Sequence, residues 1–144
     1  MQTSPKHTEQ RCMKMDHTIV HFEIPAKDVE KLKKFYADLF GWKIVKAEGP
    51  EPMEYWLIET VPVDEKTMMP VRPGVNGGMY KKDRADQKQV NYFSVESVDK
   101  SIEKIKKTGG KIVQPKQEVM GIGYVAIAQD PEGNLFALLE PKQP

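Results

Sequence analysis

Residues 41–45 read GWKIV, and residues 109–113 read GGKIV. Four of the five letters agree across 68 positions of a 144-residue chain. One short match arises easily by chance, so a duplicated unit must extend beyond it. It does. VEKLKKFYADLF (29–40) precedes the first motif and VDKSIEKIKKTG (98–109) the second, with Val29 on Val98 and Lys31 on Lys100 at an offset of 69. Downstream, YWLIET (55–60) meets YVAIAQ (124–129), which sets Tyr55 on Tyr124 and Ile58 on Ile127 at the same offset. The chain reads as one unit written twice.

Each unit opens on an alternating segment, TIVHFEI (18–24) or QVNYFSV (89–95), and strict alternation predicts a strand. A helix follows. Val29, Leu32, Phe35, Tyr36 and Leu39 recur at three and four in the first unit, and Val98, Ile102 and Ile105 in the second. Each helix stops at glycine, Gly41 or Gly109–Gly110, which suits a left-handed C-terminal cap. Three strands then follow: KIVKAE, YWLIET and NGGMYK in the first unit, KIVQP, YVAIAQ and NLFALLE in the second. The DPEG at 130–133 has proline and glycine where a tight turn favours them.

The expected class is α+β: two βαβββ modules forming a curved mixed sheet around a concave pocket, with the helices outside. Module one covers about 17–81, a solvated linker 82–88, and module two about 89–142, together a single domain. A unit of ~60 residues buries little surface alone, and two side by side can share a core. The concave face is then the place for a small molecule.

Bulk composition excludes several classes. Basic and acidic residues number 22 and 21, so no basic face points to nucleic acid and none to an anionic membrane. No apolar run approaches the ~20 residues of a membrane span. Residues 1–16 are polar, lack a secretory core, and read as a disordered tail in which Met13 or Met15 could begin the domain. The lone Cys12 allows neither an internal disulfide nor a cysteine metal site. The expected setting is cytoplasmic.

Alternation assigns faces. His21 and Glu23 share one face of the first strand, while Val20, Phe22 and Ile24 turn to the helix. A histidine beside a carboxylate can contact a ligand, act as a general base near neutrality, or serve packing alone. On the fifth strand Val90, Tyr92 and Ser94 face inward, and Asn91, Phe93 and Val95 face the helix. His21, Glu23, Tyr92 and Ser94 are therefore the expected ligand contacts. YWLIET and YVAIAQ are apolar in both phases, so the parity of Tyr55, Trp56 and Tyr124 stays open. Gln114–Gln117 is expected in a surface turn, and 61–75 as a lid, a partner surface or a loose insertion. NGGMY has glycines but neither the spacing nor the lysine of a phosphate loop.

HFEIPAKDVEKLKKFYADLFGWKIV, VNYFSVESVDKSIEKIKKTGGKIV and DPEGNLFALL resemble the vicinal oxygen chelate superfamily, which holds lactoylglutathione lyase, bleomycin resistance proteins, methylmalonyl-CoA epimerase and extradiol dioxygenases. The resemblance spans roughly 17–142 and implies the fold and the pocket, and it implies packing positions for Phe35, Phe40 and Trp42, which are expected in the core. In metal-using members it implies ligands on the first and last strand of each module. Those positions fall on His21, Val90, Ala137 and one of Gly77 or Gly78, so one donor remains. A stable divalent site needs at least three protein donors. The expected protein therefore binds a small organic molecule in bleomycin-resistance style, with no metal and no cofactor. The alternative is an enzyme of lyase, isomerase or dioxygenase type, with or without a divalent ion at His21. The resemblance also implies a homodimer.

Overall fold

A computed structural model describes residues 15–49 and 54–142. Residues 1–14, most of the expected tail, lie outside the described residues. The fold is α+β, and the described residues form two helices and eight strands in mixed pairing. Two compact units divide it, one of Val20–Asn91 and one of Tyr92 onward together with the residues up to Ile19.

In the first unit β1 (Ile19–Ala26) leads into α1 (Val29–Phe40), then β2 (Lys43–Lys46), β3 (Tyr55–Glu59) and β4 (Gly77–Lys81). The strand order is β2-β3-β4-β1, antiparallel except for the parallel β1–β4 pair. Asp28 starts α1 by accepting the Lys31 N–H at 3.1 Å. Gly41 ends it at φ 73°, its N–H donating to the Ala37 carbonyl, a conformation glycine adopts without strain. Ile24, Ala26, Val29, Ile44, Trp56, Ile58 and Met79 form the core, with Phe22, Leu32, Tyr36 and Trp42 packed on it. Side chains alternate along a strand, so His21, Glu23, Tyr55, Leu57, Gly78 and Tyr80 belong to the opposite face.

The second unit repeats the plan: β5 (Val90–Ser94), α2 (Val98–Lys107), β6 (Lys111–Val119), β7 (Gly123–Gln129) and β8 (Leu135–Pro141). The order is β5-β8-β7-β6, again antiparallel except for β5–β8. Ser97 accepts the Lys100 N–H at 3.1 Å, and the Glu140 carboxylate accepts the Val98 N–H at 2.9 Å. Val95, Val98, Ala126 and Leu138 make the core, joined by Ile102, Ile105, Tyr124 and Phe136. Asp130 carries the DPEG turn by accepting from Glu132, Asn134 and Gly133.

Three expectations are corrected. The offset of 69 holds for the first strand and helix but not for the third strand. Trp56 and Ile58 are core residues, and the strand pairing sets them on Ala126 and Ala128, also buried, which gives an offset of 70. The cause is spacing: Val29 to Lys43 is fourteen positions against thirteen from Val98 to Lys111, and Ile44 to its partner Ile58 is fourteen against sixteen from Ile112 to Ala128, a net slip of one. One residue of slip exchanges the faces of a strand, so Tyr55 and Tyr124 point opposite ways. Secondly, Phe35 and Phe40 are not core; they are 54% and 59% exposed. A twelve-residue helix buries one stripe, and Val29, Leu32 and Tyr36 fill it. Thirdly, 114–117 is no turn. β6 runs on to Val119 through register shifts at Ile112/Gln114 and Gln114/Gln117, and Pro115 is tolerated because an edge strand has a side without ladder bonds.

Segment 61–75 is ordered. Val63 bridges Pro70, and Asp64 accepts from the N–H groups of Lys66 and Thr67. Asn76 fastens its base: the side-chain oxygen accepts the N–H groups of Thr60 and Val61 at 2.7 and 3.0 Å, and its amide donates to the Val61 carbonyl at 3.1 Å. Asn76→Ala orphans three backbone groups, an expected loss of about 2 kcal/mol. Urea unfolding reads the loss, and limited proteolysis should cut first within 61–75.

Candidate functional site

β1, β3 and β4 present one face, and its centre is a residue without a side chain. Gly78 pairs with Glu23 on β1 and with Leu57 on β3. A Cβ added there would land on the Tyr55 hydroxyl. The Tyr55 ring thus reaches across β4 over Gly78, and its hydroxyl meets His21 Nε2 at 2.8 Å. Glu23 Oε2 lies 3.9 Å from the same nitrogen, and both side chains are partly buried. Tyr80 lies on the same face, opposite Tyr55 in the register.

Burial sets the electrostatics. It lowers the His21 pKa below its usual 6.5, and the Glu23 charge opposes the shift without cancelling it. His21 is accordingly a neutral imidazole at pH 7, able to accept or donate at Nε2. Burial and then the Glu23 charge push the Tyr80 phenol up, so it stays protonated. The linkage has a definite sign. The unfolded chain takes up the His21 proton before the folded one does, so this contribution to stability is present above about pH 6.5. It is lost as pH falls through the lower folded value. Melting temperature should drop between pH 7 and 5 by more in the wild type than in His21→Gln, and equal slopes would contradict the assignment.

The structure brings His21 and Glu23 together as the alternation predicts. Tyr92 and Ser94 lie on the corresponding face of the second unit, where Tyr92 pairs with Ala137 and Ser94 with Leu139. Ser94 is buried; its hydroxyl donates to the Met15 sulfur at 2.9 Å, and its carbonyl accepts from His17 Nδ1 at 2.9 Å. Tyr55 and Tyr80 were missed by sequence reasoning. The available signal was Gly77–Gly78 inside a strand, since glycine there marks a close approach.

The register also tests the metal set. Glu23 pairs with Gly78 and Tyr92 with Ala137, which makes Gly78 the counterpart of Ala137. The last-strand positions thus hold glycine and alanine, and neither side chain donates. Tyr55 fills the space that a side chain at Gly78 would need. No group of three His, Cys, Asp or Glu side chains converges among the described residues. The donor set does not fit the divalent site of metal-using relatives.

Paired βαβββ units with a polar cluster on the sheet face away from the helix define a glyoxalase-type fold, and comparison with known proteins agrees. The family model Glyoxalase/Bleomycin resistance protein/Dioxygenase superfamily matches residues 18–138, and the chain belongs to that superfamily. A glyoxylase-like domain-containing protein of Didymella fabae is 35% identical over 121 residues, covering 81% of this chain and 88% of its own. The anthracycline biosynthesis protein DnrV of Streptomyces peucetius is 25% identical over 129 residues, and the match covers 81% of this chain but 44% of DnrV. Methylmalonyl-CoA epimerase from Mycobacterium tuberculosis shares the fold, with a TM-score of 0.62 at 14% identity over 93% of this chain and 96% of that one. No helix among the described residues is long and apolar enough to cross a membrane.

Proposed function

We propose that this protein binds a small, partly aromatic organic molecule on the face built around His21, Glu23 and Tyr55, and does so without a divalent ion. The observation that carries the reading is the Tyr55–His21 hydrogen bond lying over Gly78. It puts a phenol and a neutral imidazole where metal-using relatives need a carboxylate. Val45 and Leu57, 42% and 40% exposed and paired across β2 and β3, supply apolar surface on the same face. Apolar surface with a few placed polar groups is the usual composition of a small-molecule site. Tyr92 and Ser94 are further candidate contacts on the second unit. The similarity to a protein of anthracycline biosynthesis supports a planar polycyclic ligand. The protein works in the cytoplasm as a homodimer.

Isothermal titration with alizarin, a hydroxyanthraquinone, tests the reading. Saturable binding is expected, weakened about tenfold or more in His21→Ala and in Tyr55→Phe, or about 1.4 kcal/mol each. Affinity unchanged in both variants would sink it. A second reading has one observation in its favour: His21 is held neutral beside Glu23, as a general base must be. It makes the protein an isomerase- or lyase-type enzyme that moves a proton of its ligand. Incubation in deuterium oxide separates the two, since only the enzyme exchanges a carbon-bound hydrogen of its ligand.

A further inference from the structure

Helix α2 has two flanks. Val98, Ile102 and Ile105 turn into the core of the second unit. Across the helix, Ser97, Lys100, Ser101, Lys104 and Lys107 line an open groove of about 480 Å³, and the His17 ring lines it from the segment ahead of β1. His17 Nδ1 donates to the Ser94 carbonyl at 2.9 Å, which holds the ring in place as a wall. At 3.6 residues per turn the three lysines fall within about 60° of one another around the helix. Glu96 and Glu103 line the groove as well, and Glu103 stands four residues ahead of Lys107, the order that favours an ion pair on a helix. Yet among the described residues no carboxylate lies within ion-pair distance of Lys100, Lys104 or Lys107. Two other acids of the region are engaged elsewhere: Asp99 pairs with Lys116 at 2.9 Å, and Glu140 accepts the Val98 N–H at 2.9 Å. The Lys100 N–H is taken by the Ser97 hydroxyl oxygen at 3.1 Å, so the groove offers side chains rather than a helix end.

We propose that this groove binds a small molecule through its diphosphate group, held by the ammonium groups of Lys100, Lys104 and Lys107 and by the hydroxyl protons of Ser97 and Ser101. The inference is separate from the ligand on the His21 face and does not depend on it. Charge is the first argument. Three lysines face two glutamates across the groove, and a lysine is a point-charge binder of phosphate. The second is donor chemistry. Ammonium groups and hydroxyls all have protons to donate, and phosphate oxygens only accept once ionised. Length is the third. Lys100 and Lys107 start about 10 Å apart along the helix axis, so two linked phosphates span the row better than one phosphate or one planar carboxylate does. The cavity also lies within the roughly 300–1,000 Å³ usual for small-molecule sites. The chain's own first fourteen residues match the groove poorly, since Lys6, Arg11 and Lys14 outnumber Glu9 there.

Nitrogen–proton correlation spectra of the tag-free full chain test the proposal, titrated with sodium pyrophosphate in about 20 mM salt, where screening is weak. The backbone amides of 97–107 should shift along one saturable curve. Lys100→Gln with Lys104→Gln should weaken binding at least tenfold. Lys100→Arg with Lys104→Arg should keep it within about threefold, because the charge stays. Both positions are exposed, so folding survives either change. Lys106→Gln with Lys111→Gln removes the same charge from the same unit outside the groove and should leave the affinity unchanged. Raising the salt to about 200 mM should weaken wild-type binding severalfold. A wild type without a saturable shift at about 10 mM pyrophosphate overturns the proposal. So does an equal loss in the Lys106–Lys111 variant, which would mean general charge attraction. Shifts centred outside 97–107 would overturn it too, as would citrate binding more tightly than pyrophosphate, the mark of a carboxylate site.

Discussion

Gly78→Glu should weaken binding of alizarin by at least tenfold while leaving a folded protein. Gly78 sits between Glu23 and Leu57 on neighbouring strands, and any side chain there collides with the Tyr55 hydroxyl. What it meets is the far end of a side chain, not backbone, so the ring swings away and the sheet survives. The Tyr55–His21 hydrogen bond does not. The new carboxylate also lies beside Glu23, and two like charges on a partly buried face repel. Affinity should fall by at least tenfold, and stability by about 1–2 kcal/mol for the lost bond and the added charge. Gly78→Ala carries the steric part alone and should fall between the two proteins. Titration calorimetry reads the affinity and urea unfolding the stability. Gly78→Glu with wild-type affinity would mean that Tyr55 is not part of the site.

The adjacent residue on β4 should behave in the opposite way. Met79→Ala is expected to cost about 3 kcal/mol of stability, within the range of large-to-small changes in a core. Met79 has no exposed surface. It faces the helix side of the sheet, opposite Ile24 on β1 and Trp56 on β3, and belongs to the core of the first unit. Truncation leaves a cavity walled by an aromatic ring and a branched side chain, neither of which collapses easily into it. For a chain of this length that is a fall in melting temperature of roughly 10 °C. Affinity for alizarin, measured below the transition, should stay within about twofold, because no Met79 atom reaches the site face. A loss under ~1 kcal/mol would show that the packing around β4 is looser than described. Gly78 and Met79 together test the alternation itself: one residue of shift moves the effect from binding to stability.

Much of this was legible in the sequence, for identifiable reasons. The duplicated GxKIV placed both helix-to-strand joints, because glycine at a helix end and a β-branched run after it are local signals. Alternation in TIVHFEI placed His21 and Glu23 on one face, since polar and apolar residues there separate cleanly by parity. The same logic failed on YWLIET. Both phases are apolar, so the strand's own letters could not show that Trp56 enters the core while Tyr55 turns to His21. That choice is made by the neighbours: Trp56 pairs with Met79, and Tyr55 finds room only because Gly78 has no side chain. Phe35 and Phe40 were misplaced for a related reason. They match packing positions of the resembling superfamily, but in α1 they flank the stripe of Val29, Leu32 and Tyr36 that the unit's own core takes up, and so stay half-exposed.

In the function proposed above, a phenol–imidazole pair of Tyr55 and His21 over Gly78 stands where metal-using members of the superfamily hold a divalent ion. Melting curves of the tag-free protein test it most directly, recorded after chelation and after adding nickel, zinc, manganese or iron(II), together with elemental analysis of the protein as purified. Expected are less than about one metal ion per ten chains and no ion that raises the melting temperature by more than ~1 °C, since a ligand stabilises as the logarithm of its concentration relative to its Kd. Near-stoichiometric metal, or a rise of several degrees with a single ion, would contradict it.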